Sequence, residues 1–308
     1  MRTIITSYKN PDLDGVACAF AYSELLRSEN KDATATIFGI PQIEAQFVTN
    51  AFNIPALDDV ENIIEQSDNI ILVDTSNLNE LSNKINPEKV IEIIDHRKIN
   101  DASEFANAKI QIELVGSAAT LVAERFYNSG LNTSKESATL LFLAIVSSTV
   151  NFQSKVTTDR DCKMADWLKT KFELSDNFIR DMFIAKSSFD RPLEDIMIDD
   201  LAKFTFNGKT IGIAQLEIVG VDDFVQKNME LLKKALEEIK KSESLDLVFI
   251  TFIDLVDAYN EFFAVDEDMQ KVLEIALNVR FDNGVAKQEG ILMRKQIIPL
   301  VKEVLESI

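Results

Sequence analysis

Three apolar runs in the first hundred residues are each followed by acidic side chains or by the single histidine of the chain. The side chains that follow these runs are Asp12 and Asp14, then Asp74, then His96. Carboxylate and imidazole groups are suited to binding divalent cations. In an open α/β sheet, ligands bind beyond the carboxyl ends of the strands. The sequence therefore predicts a divalent-metal site formed by these four residues.

The histidine is flanked by Asp95 and Arg97. We expect Asp95 to hold the imidazole ring through a hydrogen bond, as carboxylates often do behind a metal-binding histidine. Arg97 brings a fixed positive charge next to the site, and a guanidinium can bind phosphate with two parallel hydrogen bonds. A metal site lined by carboxylates, with cationic donors nearby, favours phosphoryl transfer.

The runs that carry these residues alternate with helical patterns. Strands are predicted over residues 3–6, 34–38, 69–73, 90–94 and 109–114, and helices over 16–26, 42–52, 116–128 and 134–152. Strands that alternate with helices indicate βαβ units and a parallel sheet. We therefore predict an α/β fold, with a Rossmann-like parallel sheet flanked by helices in a metal-binding domain over residues 1–186.

The last third of the chain changes character. One helical pattern runs from 159 to 186, and the polar, proline-containing segment 187–192 is predicted to be a linker. Residues 193–308 combine alternating strands with a long amphipathic helix, which predicts a smaller mixed α+β domain. The Asn-Gly pair at 207–208 predicts a tight hairpin.

Near the C-terminus, residues 290–298 are predicted to form a strand, and a terminal helix is predicted to begin at Pro299. Arg294 and Lys295 interrupt this apolar run. Charges at such positions fit a solvated edge strand, where they oppose aggregation. They fit equally well a pair of cationic donors for a phosphate.

A glycine and a serine, Gly116 and Ser117, precede a predicted helix. Ser117 fits a helix N-cap. The same entry could instead direct backbone N–H groups toward an anion.

The composition limits the classes of partner. The formal net charge of −19 argues against affinity for nucleic acid or anionic membranes. No secretory leader and no apolar run of membrane-spanning length are visible, so we expect a cytoplasmic protein. The two cysteines are far apart, and Cys18 fits a small core residue.

These segments resemble the DHH phosphoesterase superfamily, in the subgroup with a DHHA2-type C-terminal domain. That subgroup holds manganese-dependent (family II) inorganic pyrophosphatases and exopolyphosphatases, including the prune type. The resemblance covers almost the whole chain. It rests on residues 10–14, 73–74, 95–97, 115–120, 207–215 and 293–299.

The resemblance implies up to two Mn²⁺ or Mg²⁺ ions, with Asp12, Asp14, Asp74 and His96 as ligands and Asp74 bridging them. It also implies that Arg294 and Lys295 bind phosphate when the C-terminal domain closes over a substrate held between the domains. By the same resemblance, Asp74, Arg97, Arg294 and Lys295 are the expected catalytic residues. A family lysine near the hairpin is either displaced by one position, to Lys203, or absent; if displaced, Lys203 is a further substrate-binding residue. Many bacterial members form homodimers.

The sequence departs from the family pattern at three places. Tyr8 stands where the pyrophosphatase motif has a histidine, Ser148 where an aspartate is expected, and Arg97 where a second histidine is usual. A neutral phenol is a poor ligand for Mn²⁺ or Mg²⁺. Each of the two implied metal positions therefore lacks one protein ligand.

Two functions follow from this comparison. The first is a metal-dependent phosphohydrolase that cleaves phosphoanhydride bonds of pyrophosphate or short polyphosphate. The alternative is a degenerate relative that binds a phosphate-containing ligand with little or no hydrolysis, because a fold does not fix a function.

Overall fold

The chain divides into two compact units. The part of the chain that this computed structural model describes is residues 2–66, 68–98, 100–188 and 192–307. Unit 1 consists of Met1–Phe152 and Val156–Ala185, and unit 2 of Gln153–Lys155 and Lys186–Ile308. Within the predicted linker, residues 189–191 lie outside the described residues. No helix in the described ranges is long and apolar enough to cross a membrane.

A parallel sheet forms the centre of unit 1. Its strands are β1 (Thr3–Thr6), β2 (Ala33–Ile37), β3 (Asp58–Asp59), β4 (Asn69–Val73), β5 (Val90–Asp95) and β6 (Lys109–Ile112). They form a six-stranded sheet in the order β3-β2-β1-β4-β5-β6, and every pairing is parallel. Nearly all of β1 and β4 is buried, as expected for strands covered on both faces. The predicted α/β class is confirmed.

Helices flank this sheet. They are α1 (Leu13–Ser28), α2 (Ile43–Ala51), α3 (Val60–Ile63), α4 (Ala118–Ser129), α5 (Lys135–Ser148), α6 (Asp159–Lys169) and α7 (Phe178–Lys186). The single helix predicted over 159–186 is wrong, because α6 and α7 are separate. The intervening residues include Ser175, Asp176 and Asn177, whose short polar side chains favour turns over helix interiors.

The strand order places a crevice at the carboxyl ends of β1 and β4. From β1 the chain adds strands on one side, β2 and β3, and then returns to β4 on the other side. Such a reversal of strand order is a topological switch point, where open α/β sheets bind ligands. Asp12 and Asp14 follow β1, and Asp74 follows β4, so the predicted metal ligands lie at this point.

Unit 2 contains a smaller mixed sheet. Its elements are α8 (Leu193–Asp199), β7 (Ala202–Phe206), β8 (Lys209–Ile218), α9 (Val221–Ser242), β9 (Leu247–Asp254), β10 (Tyr259–Phe263), α10 (Glu267–Leu277), β11 (Val285–Glu289) and α11 (Arg294–Ser307). The strand order is β11-β10-β9-β8-β7, with β8 and β9 parallel and the other pairs antiparallel. Asn207 and Gly208 have φ of 47° and 77°, so the predicted hairpin turn is confirmed.

The strand predicted over 290–298 is wrong. Arg294 begins α11, and Pro299 lies inside that helix instead of starting it. Gly290 and Ile291 make only isolated bridges, to Tyr259 and Ser154, and the side chain of Asn260 binds both the N–H and the C=O of Leu292, at 2.7 and 2.8 Å. The side chain of Gln296 then accepts the N–H of Met293 at 2.9 Å, which is half of a capping box and starts the helix.

Candidate metal centre

Asp12 begins helix α1. Its Oδ1 accepts the backbone N–H groups of Asp14 and Gly15 at 2.9 and 3.1 Å, so Asp12 is the N-cap. A Cβ on Gly15 would lie 2.5 Å from the hydroxyl of Ser7, so glycine is required where this turn packs on its own loop. The cap directs Asp14, in the first turn, into the interior, where it is 2% exposed.

Asp74 follows β4 in a left-handed backbone conformation, with φ of 55°. Its N–H still donates to the carbonyl of Ile94 in β5 at 2.8 Å, so the sheet holds its backbone in place. A residue other than glycine at positive φ is uncommon, and such conformations cluster at functional sites. The side chain is buried at the end of the strand.

His96 follows β5 and is oriented by a carbonyl. Its Nδ1 lies 3.0 Å from the carbonyl oxygen of Val115, and its Nε2 lies 3.4 Å from Oδ1 of Asp74. Because a carbonyl can only accept, Nδ1 carries the proton and Nε2 faces the carboxylate. The expectation that Asp95 holds the ring is wrong, since Asp95 instead accepts the backbone N–H of His96 at 2.7 Å and the hydroxyl of Ser76.

The start of α4 binds an anion that the protein itself supplies. Ser117 is the N-cap, and its hydroxyl donates to Asp14 at 2.8 Å. The N–H groups of Ala118 and Ala119 also donate to Asp14, each at 2.8 Å. Both interpretations of Gly116 and Ser117 therefore hold, with the Asp14 carboxylate as the anion at the positive end of the helix.

Three of the predicted ligands lie together. Single ligand atoms of Asp14, Asp74 and His96 all lie within 4.8 Å of one another. Two carboxylates and one imidazole form a donor set that fits a divalent cation such as Mn²⁺. Asp12 lies outside this group, and its Oδ1 is already occupied by the cap of α1.

The electrostatics of the three residues also fit a cation. Burial raises the pKa of Asp74 well above its usual value, and Asp14 adds to this, while His96 and Arg97 act in the opposite direction. Burial likewise raises the pKa of Asp14. Although burial alone lowers the pKa of His96, its hydrogen bond with Asp74 and the charges of both carboxylates raise it to about 9. Adjacent buried carboxylates are stabilised by positive charge, which an imidazolium or a metal ion supplies.

Tyr8 and Ser148 lie beside the cluster. The hydroxyl of Tyr8 accepts the N–H of Asp12 at 3.1 Å. Burial, aided by the charges of Asp12 and Asp74, raises the pKa of Tyr8 well above its usual value, so the phenol is neutral. Ser148, at the end of α5, lies 3.4 Å from Oδ2 of Asp14. Cys18 donates weakly to Oδ1 of the same carboxylate at 3.4 Å and is fully buried, as predicted.

Arg97 lies over the ring of Tyr8, with Cζ 4.9 Å from the ring centroid. Its Nη1 donates to Oε2 of Glu80 at 2.7 Å. Burial opposes the charge of Arg97, but Asp74 and Glu80 outweigh it and raise the pKa of the guanidinium. Sequence reasoning missed Glu80, because this pairing across 17 positions has no local signal.

Two of the predicted phosphate-binding residues of unit 2, Arg294 and Lys203, are held by acidic partners. Arg294 donates to Oδ2 of Asp200 at 2.7 Å and to the carbonyl of Ile213 at 3.1 Å. Lys203 pairs with Glu243 at 2.8 Å, and Lys295 is the second residue of α11. The phosphate-binding role of these three residues stays a prediction, and an anion at Arg294 would compete with Asp200.

The chain matches two family models, the DHH family N-terminal domain over residues 2–145 and the DHHA2 domain over residues 180–304. It belongs to the DHH family, in the group with a DHHA2 domain. The crystal structure of the Methanococcus jannaschii "putative family II inorganic pyrophosphatase" is similar over 98% of this chain and 99% of that one, at 30% identity and a TM-score of 0.76.

Two curated relatives carry the name "Probable manganese-dependent inorganic pyrophosphatase". The Bacillus cereus protein is 28% identical and the Staphylococcus aureus (strain JH9) protein 29% identical, each over 309 residues and 99% of both chains. The resemblance to the DHH family with a DHHA2 domain is therefore confirmed, and the relatives' names support pyrophosphate hydrolysis at the level of the family.

Proposed function

We propose that this chain hydrolyses a phosphoanhydride bond of pyrophosphate or short polyphosphate with the help of Mn²⁺ or Mg²⁺. The observation that carries the proposal is the buried cluster of Asp14, Asp74 and His96 at the switch point of a DHH-family sheet. The relatives that cover the whole chain and carry a pyrophosphatase name support the choice of substrate.

In this proposal Asp14, Asp74 and His96 hold the cation. A divalent ion there would polarise a phosphoryl oxygen and lower the pKa of a bound water. The oxygen of water attacks phosphorus and gives up one of its two protons, the bond between phosphorus and the bridging oxygen breaks, and that oxygen leaves with the electron pair and takes up a proton. Arg97, charged and beside Asp74, attracts the phosphoryl oxygens and stabilises the charge that develops on them.

The second candidate, a phosphate-binding protein with little hydrolysis, is favoured by one observation. Tyr8 is a half-buried, neutral phenol whose hydroxyl already accepts the N–H of Asp12. The described residues therefore offer one three-donor cluster beside the substrate instead of two. Fewer ligands would weaken metal binding in the absence of substrate.

Phosphate release separates the two candidates. It is measured from pyrophosphate and tripolyphosphate with Mn²⁺, Mg²⁺ or Co²⁺ in wild type, in Asp74→Asn and in Asp68→Asn. Asp68 is the matched control because it is buried just before β4, pairs with Arg2 at 2.6 Å and is not part of the cluster. We expect turnover in wild type and Asp68→Asn, and a loss on the order of 100-fold in Asp74→Asn.

No turnover of either substrate with any of the three metals would contradict the enzyme proposal and favour the binding protein. Full turnover in Asp74→Asn would contradict the assigned site.

A further inference from the structure

The region of Tyr8 and Asp12 differs from the rest of the site, because its described side chains do not belong to a group of three donors close enough to share an ion. The Tyr8 hydroxyl accepts an N–H instead of facing outward as a ligand. One oxygen of Asp12 accepts two N–H groups of the α1 cap. Among the described residues, Asp14, Asp74 and His96 are the only group of three candidate donors close enough to share an ion.

A fixed cation already lies in this region. The guanidinium of Arg97 covers the face of Tyr8 at 4.9 Å, where the ring attracts positive charge. Arginine does not lose its proton in proteins, so this charge persists at any pH at which the protein is folded. A divalent ion between Asp12 and Asp74 would be repelled by it.

Arg97 also keeps hydrogen-bonding capacity. Within the described ranges, its hydrogen bond to a side chain comes from Nη1 and goes to Glu80. A guanidinium has five N–H donors in a planar fork that matches phosphate. The side chain is 29% exposed, so an anion at the site can reach the remaining donors.

We propose that each chain binds one divalent cation, at Asp14, Asp74 and His96, and that Arg97 on the Tyr8 ring is the second positive charge for the phosphate ligand. This inference rests on the proposed function, because it assumes the same site and the same class of ligand. It assigns Tyr8 the role of positioning Arg97.

The number of bound ions tests the proposal without any variant. Wild type is dialysed to equilibrium against Mn²⁺, with and without the non-hydrolysable analogue imidodiphosphate, and bound manganese is measured by elemental analysis. We expect one ion per chain in both conditions. Two ions per chain in either condition would overturn the inference while leaving the proposed function intact. No bound ion in either would remove the metal site itself, and with it the proposed function.

Arg97→Gln tests the role of the guanidinium. In the manganese-loaded protein we expect imidodiphosphate to bind at least about tenfold more weakly, because charge-assisted hydrogen bonds to the anion are lost. The manganese content should stay at one ion per chain. Unchanged affinity for imidodiphosphate, or a gain of a second ion without loss of affinity, would overturn the proposal.

Arg125→Gln is the matched control. Arg125 also lies 4.9 Å from a tyrosine ring centroid, that of Tyr22, and also pairs with a glutamate, Glu92 at 2.8 Å. It is in the same unit but outside the cluster. Its replacement should leave both manganese content and imidodiphosphate affinity unchanged, and an equal loss of affinity would show that Arg97 acts only through stability.

Discussion

Unit 1 contains the same trio of tyrosine, arginine and glutamate twice. The two trios differ in how many N–H donors of the arginine have hydrogen-bond partners. In the first, Arg97 covers Tyr8 and pairs with Glu80. In the second, Arg125 covers Tyr22 and pairs with Glu92.

The second trio is closed. Tyr22 donates to Glu92 at 2.6 Å and accepts from Arg125, while the amide oxygen of Gln111 accepts the other side of the guanidinium, at 2.6 and 3.1 Å. Arg125 thus has partners on both sides of its fork. Such fully satisfied networks rigidify a structure.

The first trio is open. Tyr8 binds a backbone N–H instead of the glutamate, and the charges of Asp12 and Asp74 act on its ring. The same local contacts therefore stabilise the fold in one place, and in the other they hold a guanidinium with unused N–H donors beside the cluster of Asp14, Asp74 and His96. Three consequences of this difference can be measured, from the largest to the smallest.

The largest effect is expected on catalysis. Arg97→Gln should lower pyrophosphate turnover on the order of 100-fold, because a donor to the developing charge is removed. Arg125→Gln should change turnover less than about threefold, since Arg125 is outside the cluster and is not a donor to the developing charge. Steady-state phosphate release at saturating Mn²⁺ measures both. Similar losses in the two variants would end the functional distinction between the trios.

For stability we expect the opposite order, with the larger effect from Arg125→Gln and the smaller from Arg97→Gln. Arg125→Gln should reduce the free energy of unfolding by about 2 kcal/mol, because it leaves Glu92, 13% exposed at its side chain, without its charged partner. Arg97→Gln should cost less than about 1 kcal/mol, since Glu80 is 36% exposed and can be hydrated. Urea unfolding with EDTA present gives both free energies. A greater loss of stability in Arg97→Gln would contradict the description of the Arg97 trio as open and the Arg125 trio as closed.

Restoring ligands should strengthen metal binding more modestly. Tyr8→His combined with Ser148→Asp adds a donor at two of the three departures from the family pattern, and should tighten Mn²⁺ binding about tenfold. Tyr22→His adds an imidazole in the closed trio and serves as the control. Calorimetric titration with Mn²⁺ is the measurement, and no change in the double variant would contradict the placement of Tyr8 and Ser148 at the two metal positions that the family resemblance implies.

Unit 2 contains a similar trio in which a lysine replaces the arginine and an aspartate the glutamate. A neighbouring glutamate makes the stability of this region dependent on pH. Lys287 lies 3.5 Å from the ring centroid of Tyr259 and 3.1 Å from Asp222, whose N–H donates to the Tyr259 hydroxyl. Burial and the neighbouring Asp222 raise the pKa of Glu261 to about 7. The folded protein therefore keeps a proton on Glu261 that the unfolded chain releases above its ordinary pKa of 4.5.

It follows that this carboxyl stabilises the fold below pH 4.5, and that its contribution is lost as the pH rises toward and through 7. Between pH 5 and 8 we expect a fall in the free energy of unfolding of about 1 kcal/mol or more that depends on Glu261. Glu261→Gln should remove this part of the pH dependence in urea titrations. A variant with the same pH profile as wild type would exclude Glu261 as its source.

The sequence predicted the residues of the site better than their partners. Asp14, Asp74 and His96 could be found because each follows an apolar run, and the ends of parallel strands converge by the geometry of the sheet. Glu80 and Asp200 could not be found in this way, since an ion pair between distant positions leaves no periodic pattern. The predicted hydrogen bond between Asp95 and the His96 ring was wrong for the same reason. The actual partner of the ring is the carbonyl of Val115, which is distant in sequence and reaches His96 only in the folded chain.

The largest error in the fold had a tertiary cause as well. Residues 291–293 are three consecutive apolar residues after a glycine, and a short apolar run of this kind is typical of a buried strand. Gly290 and Ile291 form only isolated bridges, and the backbone of Leu292 is bound by the side chain of Asn260. No local signal in residues 290–298 contains that information.

The hydrogen bonds between Asp14 and the start of α4 also bear on how the protein folds. They join residues 103 to 105 positions apart in the chain, with β2 to β6 between them. Closing so long a loop is entropically costly, and long-range contacts of this kind slow folding. The Asp14 carboxylate cannot make these hydrogen bonds before α4 has been synthesised and has docked. We therefore expect a nascent chain to complete the cluster of Asp14, Asp74 and His96 late in folding.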